Sequence, residues 1–277
     1  MIKGSALNVR NEKLETVHEY VKIIAGGHMN CLFLFGAGGI GKTEVILRTL
    51  EDEEVKAVYL NGIATPLELY HYLYDYNGNL IVLDDVEGIL NNPKTIAILK
   101  AAIYGYKGRR TICYATTSAL LRVPEAFEFT GRLIICVNAF PDNPSLEALT
   151  RRTICYELRL SLAEKIDLFK QIAEQRYKGI SLEKRRQVCS FLIENVDEST
   201  KNLSLRELFK SFDIYKGNTD KWRELIREML SIDEDVRAFL MATKTTEKVS
   251  SQINIFREMT GKSRRTFFRI KQRIKGV

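Results

Sequence analysis

Gly36, Ala37, Gly38, Gly39, Ile40, Gly41, Lys42 and Thr43 form a G-x-x-x-x-G-K-T string, and Asp84-Asp85 close a hydrophobic run further on. The first set has the chemistry of a phosphate cradle. A loop nearly free of side chains lets the backbone curl and aim successive N–H groups at an anion. The helix that follows adds the positive end of its dipole. Lys42 is placed to reach the terminal phosphates of a nucleotide, and the Thr43 hydroxyl to hold Mg²⁺. The nucleotide-binding stretch extends through Glu44. Asp84 is expected to hold the same metal, directly or through water, and Asp85 to polarise an attacking water. Read alone, two acids after a strand would only cap a loop; downstream of a phosphate loop the catalytic reading is preferred. Asn138 ends another apolar run and either orients water beside the phosphates or makes a turn before AFPDNP.

These residues need strands and helices to present them. Cys31–Phe35 reads as a buried strand ahead of the loop, and EVILRTL as the helix after it. Further strands are expected at 56–60, 79–85, 110–114, 132–137 and 153–158. Between them lie helices at 65 onward, 93–106 and 146–152, two of them opened by Pro66 and Pro93. Strand alternating with helix implies a parallel α/β sheet. Before the first strand, Leu14, Val17, Val21 and Ile24 repeat at helical spacing over 7–26, either as plain packing or as a wall of a base pocket. Strand signals stop at Ser161, where Ser161 and Glu164 match a capping box. Helices are expected at 162–177, 181–195, 203–215 and 219–230.

The chain has 277 residues, 45% of them hydrophobic and 28% charged, enough for a core and ordinary for a soluble protein. No stretch has the length of a membrane span, and the N-terminus lacks the apolar region of a secretory signal. A cytoplasmic location without membrane partners is therefore expected. The five cysteines (Cys31, Cys113, Cys136, Cys155, Cys189) form no C-x-x-C pair. The first four fall in expected strands as small hydrophobes, so neither zinc nor disulfides are expected. Net charge is +7, but residues 241–277 hold ten Lys/Arg against two acids, a net of +8 that leaves the remainder at −1. A neutral body with a basic end points to a polyanion partner.

That end, residues 232–277, reads as a small helical unit. Ile253, Phe256 and Met259 share a face, Thr260–Ser263 makes a turn with Ser263 as N-cap, and Phe267, Ile270 and Ile274 point inward from the last helix. The string EMTGKSRRTFFRIKQRI resembles a helix-turn-helix, whose second helix enters the major groove of double-stranded DNA. Arg264 and Arg265 would then read bases, and Arg269, Lys271 and Arg273 would meet phosphates.

Taken in order, GAGGIGKT, LIVLDD, Asn138, the pair Arg151-Arg152 before the last strand, and the helical segment beyond it resemble the AAA+ ATPases over roughly residues 7–230. The resemblance implies a P-loop parallel-sheet ATPase core at 1–158, a helical lid at 159–230 and a small all-α, winged-helix or helix-turn-helix-like domain at 231–277. It implies ATP and Mg²⁺ as cofactors, with Asn138 as sensor 1 and Arg206 as sensor 2. Arg151 or Arg152, with Arg152 preferred, would be the arginine finger offered to a neighbouring copy. The resemblance implies a homo-oligomer, with a hexamer as the candidate form. The family usually carries Asp-Glu where this chain has Asp84-Asp85, so turnover is expected to be slow unless Glu87 substitutes. Residues 110–137 resemble a hairpin that some DNA-acting branches insert before sensor 1, with Arg122 near its tip. The expected task is ATP-driven work on DNA, such as replication initiation, helicase loading or remodelling, including on a mobile element. The alternative is a regulatory switch: GAGGIGKT with LVLDDV-like residues also resembles signalling NTPases, in which ATP would be bound more than turned over. A DNA-binding protein with ATP as a structural ligand is the third option.

Overall fold

The computed structural model describes residues 9–62, 65–115, 120–140, 144–197, 200, 203–230 and 234–275. They fall into two compact units, one running to Ile172 and one starting at Ala173. The first unit opens with α1 (Glu12–Ala25), β1 (Cys31–Phe35), α2 (Lys42–Asp52), β2 (Ala57–Asn61), α3 (Pro66–Asp75) and β3 (Leu80–Asp84). It continues through α4 (Glu87–Leu90), α5 (Pro93–Ile103), β4 (Thr111–Cys113), β5 (Ala126–Glu128), β6 (Arg132–Val137), α6 (Pro144–Thr150), β7 (Ile154–Glu157) and α7 (Leu162–Glu174), whose last residues cross the division.

Five strands form a parallel sheet in the order β2-β3-β6-β1-β7. β3 is buried throughout, and β1 and β6 nearly so. Continuous apolar runs such as LIVL and LIICV are what a parallel sheet covered on both faces requires. The edge strand β2 is only half-buried. The register sets Phe35 beside Val137 and Asp84 beside Cys136. One step further along, the loop after Phe35, Asp85 and Asn138 therefore leave the sheet together at its C-terminal edge.

α1 starts at Asn11, whose side chain accepts from the N–H groups of Lys13 and Leu14. It buries Leu14, Val17, Val21 and Ile24 and packs on α2, where His18 Nδ1 lies 2.9 Å from Thr49 Oγ1. The segment 110–114 does not join the sheet. β4 pairs antiparallel with β5 alone, Thr111 opposite Glu128 and Cys113 opposite Ala126. This hairpin leans on α3: Tyr70 stacks near Tyr114 and Phe127, and its hydroxyl donates to Pro124 O at 2.7 Å. The Arg122 N–H donates to His71 Nε2 at 3.2 Å. Cys113 and Cys155 are exposed, unlike buried Cys31, Cys136 and Cys189. The first lies on the hairpin and the second on an edge strand, so the expectation that both act as core hydrophobes is corrected.

The second unit contains α8 (Leu182–Glu194), α9 (Leu205–Gly217), α10 (Trp222–Met229), α11 (Glu234–Thr245), α12 (Val249–Thr260) and α13 (Arg264–Lys275). Among its described residues there is no strand. α11–α13 enclose a core of Val236, Phe239, Ala242, Phe256, Phe267 and Ile270. Phe267 lies 4.7 Å from Phe239 and 5.6 Å from Phe256 between ring centroids. Met259 does not share that core; it is exposed, and Gln252 is buried on α12 instead, donating to Thr246 O at 2.7 Å. Among the described residues no helix is long and apolar enough to cross a membrane.

Candidate functional site

The loop after β1 is built by its glycines. At Gly36, with φ 150°, a Cβ would lie 2.1 Å from Leu158 O, so any side chain would push the loop off the end of β7. Gly41, with φ 99°, is the N-cap of α2 and supplies no side-chain cap. The N-cap side chain therefore takes none of the first N–H groups of that helix, the kind of helix end at which anions bind. Ile40 is buried beneath the loop and anchors it.

Lys42 is only 6% exposed. Its Nζ donates to Gly36 O at 2.7 Å, Ala37 O at 3.0 Å and Asn138 Oδ1 at 3.2 Å. Thr43 Oγ1 donates to Asp84 Oδ2 at 2.9 Å, and Asn138 Nδ2 donates to Asp85 Oδ1 at 3.0 Å. Asp85 takes a left-handed backbone, φ 53°, with its N–H donating to Cys136 O at 3.1 Å. That kink turns its carboxylate toward Asn138 rather than along the strand. Burial, and then the nearby Asp84 carboxylate, push the Cys136 thiol well above the usual thiol range, so it stays protonated. The loop, its lysine, the Thr43–Asp84 pair, Asp85 and Asn138 thus form one connected polar group at the C-terminal edge of the sheet, where open α/β sheets bind ligands.

The donors suit a triphosphate with a hard divalent cation. An uncapped helix start and a buried lysine are groups that suit an anion. Thr43 and Asp84 offer two adjoining oxygens of the kind Mg²⁺ takes. Among the described residues no group of three or more His, Cys, Asp or Glu could hold a metal. A cation here would therefore draw its other ligands from phosphate and water, as Mg²⁺ does.

Solved structures of similar fold exist. A point mutant of RuvB from Thermotoga maritima superposes with a TM-score of 0.54 at 13% identity, over 95% of this chain and 87% of that one. A second Thermotoga maritima structure, of the RuvB Holliday junction branch migration motor, gives 0.50 at 13% identity, over 92% and 83%. The chain shares its overall fold with these structures. No family model and no curated protein matches the sequence.

Within the first unit, Arg151 and Arg152 lie apart from the loop. Arg151 and Arg152 follow α6 and precede β7, whose first residue Ile154 is level with Leu32 near the start of β1. They therefore stand at the N-terminal edge of the sheet, opposite Lys42. Both are exposed: Arg151 pairs with Glu147 at 2.6 Å on a solvated surface, and the Arg152 guanidinium lies 4.2 Å from the Tyr104 ring centroid. Arg206 belongs to the second unit, exposed in the first turn of α9 behind the Ser204–Glu207 capping box. The side chain of Glu87 lies outside the described residues.

On α13, Arg264 and Lys271 both sit against one ring, 5.5 and 6.0 Å from the Phe268 centroid. Arg265 and Arg269, four residues apart, are exposed on one side of the helix. Lys262, just before α13, is bound to Asp235 at 2.5 Å. The side chains of Arg273 and Ile274 lie outside the described residues. Sequence reasoning did not find Leu158 O as the stop behind Gly36, because that contact joins distant parts of the chain.

Proposed function

We propose that the chain is an ATPase of the AAA+ type that works on DNA. The observation that carries the reading is the connected group Lys42–Asn138–Asp85 beside Thr43–Asp84, set against the uncapped start of α2. Backbone N–H groups from Gly36 to Thr43, with Glu44 in the first turn, would hold ATP. Lys42 would donate to its terminal phosphates, and Thr43 with Asp84 would hold Mg²⁺. The metal, when bound, neutralises charge on the β- and γ-phosphates. Asp85, held by Asn138, is the carboxylate placed to orient a water. Arg151 and Arg152 face away from their own loop, which supports a finger offered to a neighbouring copy in a homo-oligomer, a hexamer being one such ring. Arg206 would act as the lid sensor. The three-part division at 158 and 230 is retained in this reading.

DNA as the partner is supported by the basic α13, with Arg264, Arg265, Arg269, Lys271 and Arg273, and by the helix–Gly261 turn–helix arrangement, in which Gly261 has φ 69°. Because Arg264 and Lys271 flank Phe268, Arg265 and Arg269 are the side chains freer to enter a groove. The RuvB likeness favours remodelling of DNA over initiation or helicase loading. Asp85, one methylene shorter than glutamate, favours a second reading in which ATP mainly sets a switch.

ATPase rate measured against protein concentration, with and without duplex DNA, tests this directly. Lys42→Ala should abolish nucleotide binding. Arg152→Ala should keep binding and lower turnover by about 10³-fold or more. Unchanged turnover in Arg152→Ala would favour ATP as a structural ligand.

A further inference from the structure

The tripeptide Tyr-Lys-Gly occurs at 106–108, 177–179 and 215–217. The first two make the same tight turn. Lys107 and Gly108 have φ 51° and 80°, Lys178 and Gly179 φ 41° and 77°. Single backbone bridges join Tyr106 to Arg109 and Tyr177 to Ile180. Two successive positive φ values mark the primed turns that close hairpins. The side chains then diverge. Tyr177 is 8% exposed, whereas Tyr106 is 80% exposed, the most exposed large hydrophobic side chain among the described residues.

The Tyr106 turn is held on a stiff support. Gly105 passes so near Arg109 that a Cβ would lie 1.6 Å from its carbonyl oxygen. Arg110 is tied down behind the turn, donating to Ala102 O at 2.9 Å and Gly131 O at 2.8 Å with its guanidinium 5.3 Å from the Phe129 ring centroid. Asn30, just before β1, donates to Ile103 O at 3.3 Å. Both anchors precede sheet strands, so the turn belongs to the N-terminal edge, away from the phosphate loop. The run of sequence around it carries cations only, while across the hairpin β5 sets Glu128 opposite Thr111. From Pro93 to Pro124 there are six cations (Lys94, Lys100, Lys107, Arg109, Arg110, Arg122) and no Asp or Glu. Lys107 Nζ stands 5.4 Å from the Tyr106 ring centroid, and Arg109 is exposed.

We infer that the Tyr106–Arg109 turn is a contact for single-stranded nucleic acid. The Tyr106 ring would stack on an unpaired base while Lys107 and Arg109 meet the flanking phosphates. An aromatic face inside a positive field is how single strands are held without regard to sequence. Duplex bases are already stacked on each other and leave such a ring no face. This contact is separate from the DNA reading of α13 and needs no nucleotide.

The test uses the full chain carrying Arg265→Glu and Arg269→Glu, so that α13 does not dominate, and a fluorescein-labelled oligo(dT) of about 20 nucleotides, read by anisotropy without ATP. Oligo(dT) should still bind at low salt. Tyr106→Ala should weaken that binding roughly ten-fold, Tyr106→Phe should stay within about two-fold of Tyr106, and the thermal midpoint should not move. Lys107→Ala with Arg109→Ala should flatten the log K against log salt slope by about 1.4. The inference is overturned if the starting variant does not bind oligo(dT), if Tyr106→Ala binds as before, or if Tyr106→Ala alters only self-association in sedimentation. That last result would make the turn an interface between copies. Failure of the α13 reading shows elsewhere, as duplex binding that survives Arg265→Glu and Arg269→Glu.

Discussion

The turns at Tyr106 and Tyr177 share a tripeptide and a backbone but not a fate. At Tyr177 the ring packs 5.3 and 5.4 Å from Phe209 and Phe212, and its hydroxyl donates to Asp213 Oδ1 at 3.1 Å. Lys178 Nζ donates to both oxygens of the same carboxylate at 2.8 Å, and Lys216 Nζ donates to Lys178 O at 2.8 Å. Arg185, buried behind it, donates to Ala173 O at 2.9 Å and to Ile180 O. This turn is consumed by its own unit. The Tyr106 turn is also held from behind, yet it leaves its ring in water beside Lys107, with Arg109 exposed across the turn. A firm turn that spends nothing of its tyrosine on the fold has that tyrosine left for a partner.

The comparison breaks first on stability. Tyr177→Ala should cost about 3 kcal/mol in urea unfolding, as removal of a buried aromatic does, whereas Tyr106→Ala should stay within about 0.5 kcal/mol. Equal losses would mean that the Tyr106 ring is covered. Next comes the backbone the two share: Gly108→Ala and Gly179→Ala should each cost about 1 kcal/mol, because both sit at positive φ. A loss at only one turn would show that the two backbones are not equivalent in solution. The smallest effect is in alkali. Hydrogen bonds to Asp213 and Tyr177 raise the Lys178 ammonium from 10.5 to about 12, and burial raises the Tyr177 phenol above its usual value. Each raised value gives stability that is complete below the ordinary value and fades as pH climbs through the folded one. Asp213→Asn should therefore make the decline in unfolding midpoint between about pH 10 and 12 shallower. An unchanged profile would remove Asp213 as the link.

Legibility in the sequence followed the range of the interactions. The glycine loop between β1 and α2 could be read because most of its conformation is set locally, by glycines at 36, 39 and 41 and by the helix that begins at Lys42; only the stop at Leu158 O comes from afar. Asp84 and Asn138 could be placed at strand ends because β3 and β6 are unbroken apolar runs. The partner of residues 110–114 could not be read, since an apolar triplet pairs equally well with a sheet or with β5; contact with Tyr70 and Tyr74 of α3 holds the hairpin where it is. Met259 fits the helical stripe of α12, yet it lies outside the region that α11 and α13 cover. The acid-free run from Pro93 to Pro124 was visible throughout, but composition alone does not say which of its cations face solvent.

The third Tyr-Lys-Gly, at 215–217, makes the division plain. It ends α9 as helix and forms no turn. By itself the sequence determined the glycine loop, the helix starts and the five strands of the sheet, because glycine placement, capping and apolar period act over a few residues. Tertiary structure decided which side chains are used up and which are offered. That choice depends on what distant segments bring alongside: Asp213 at one tyrosine, open solvent at another.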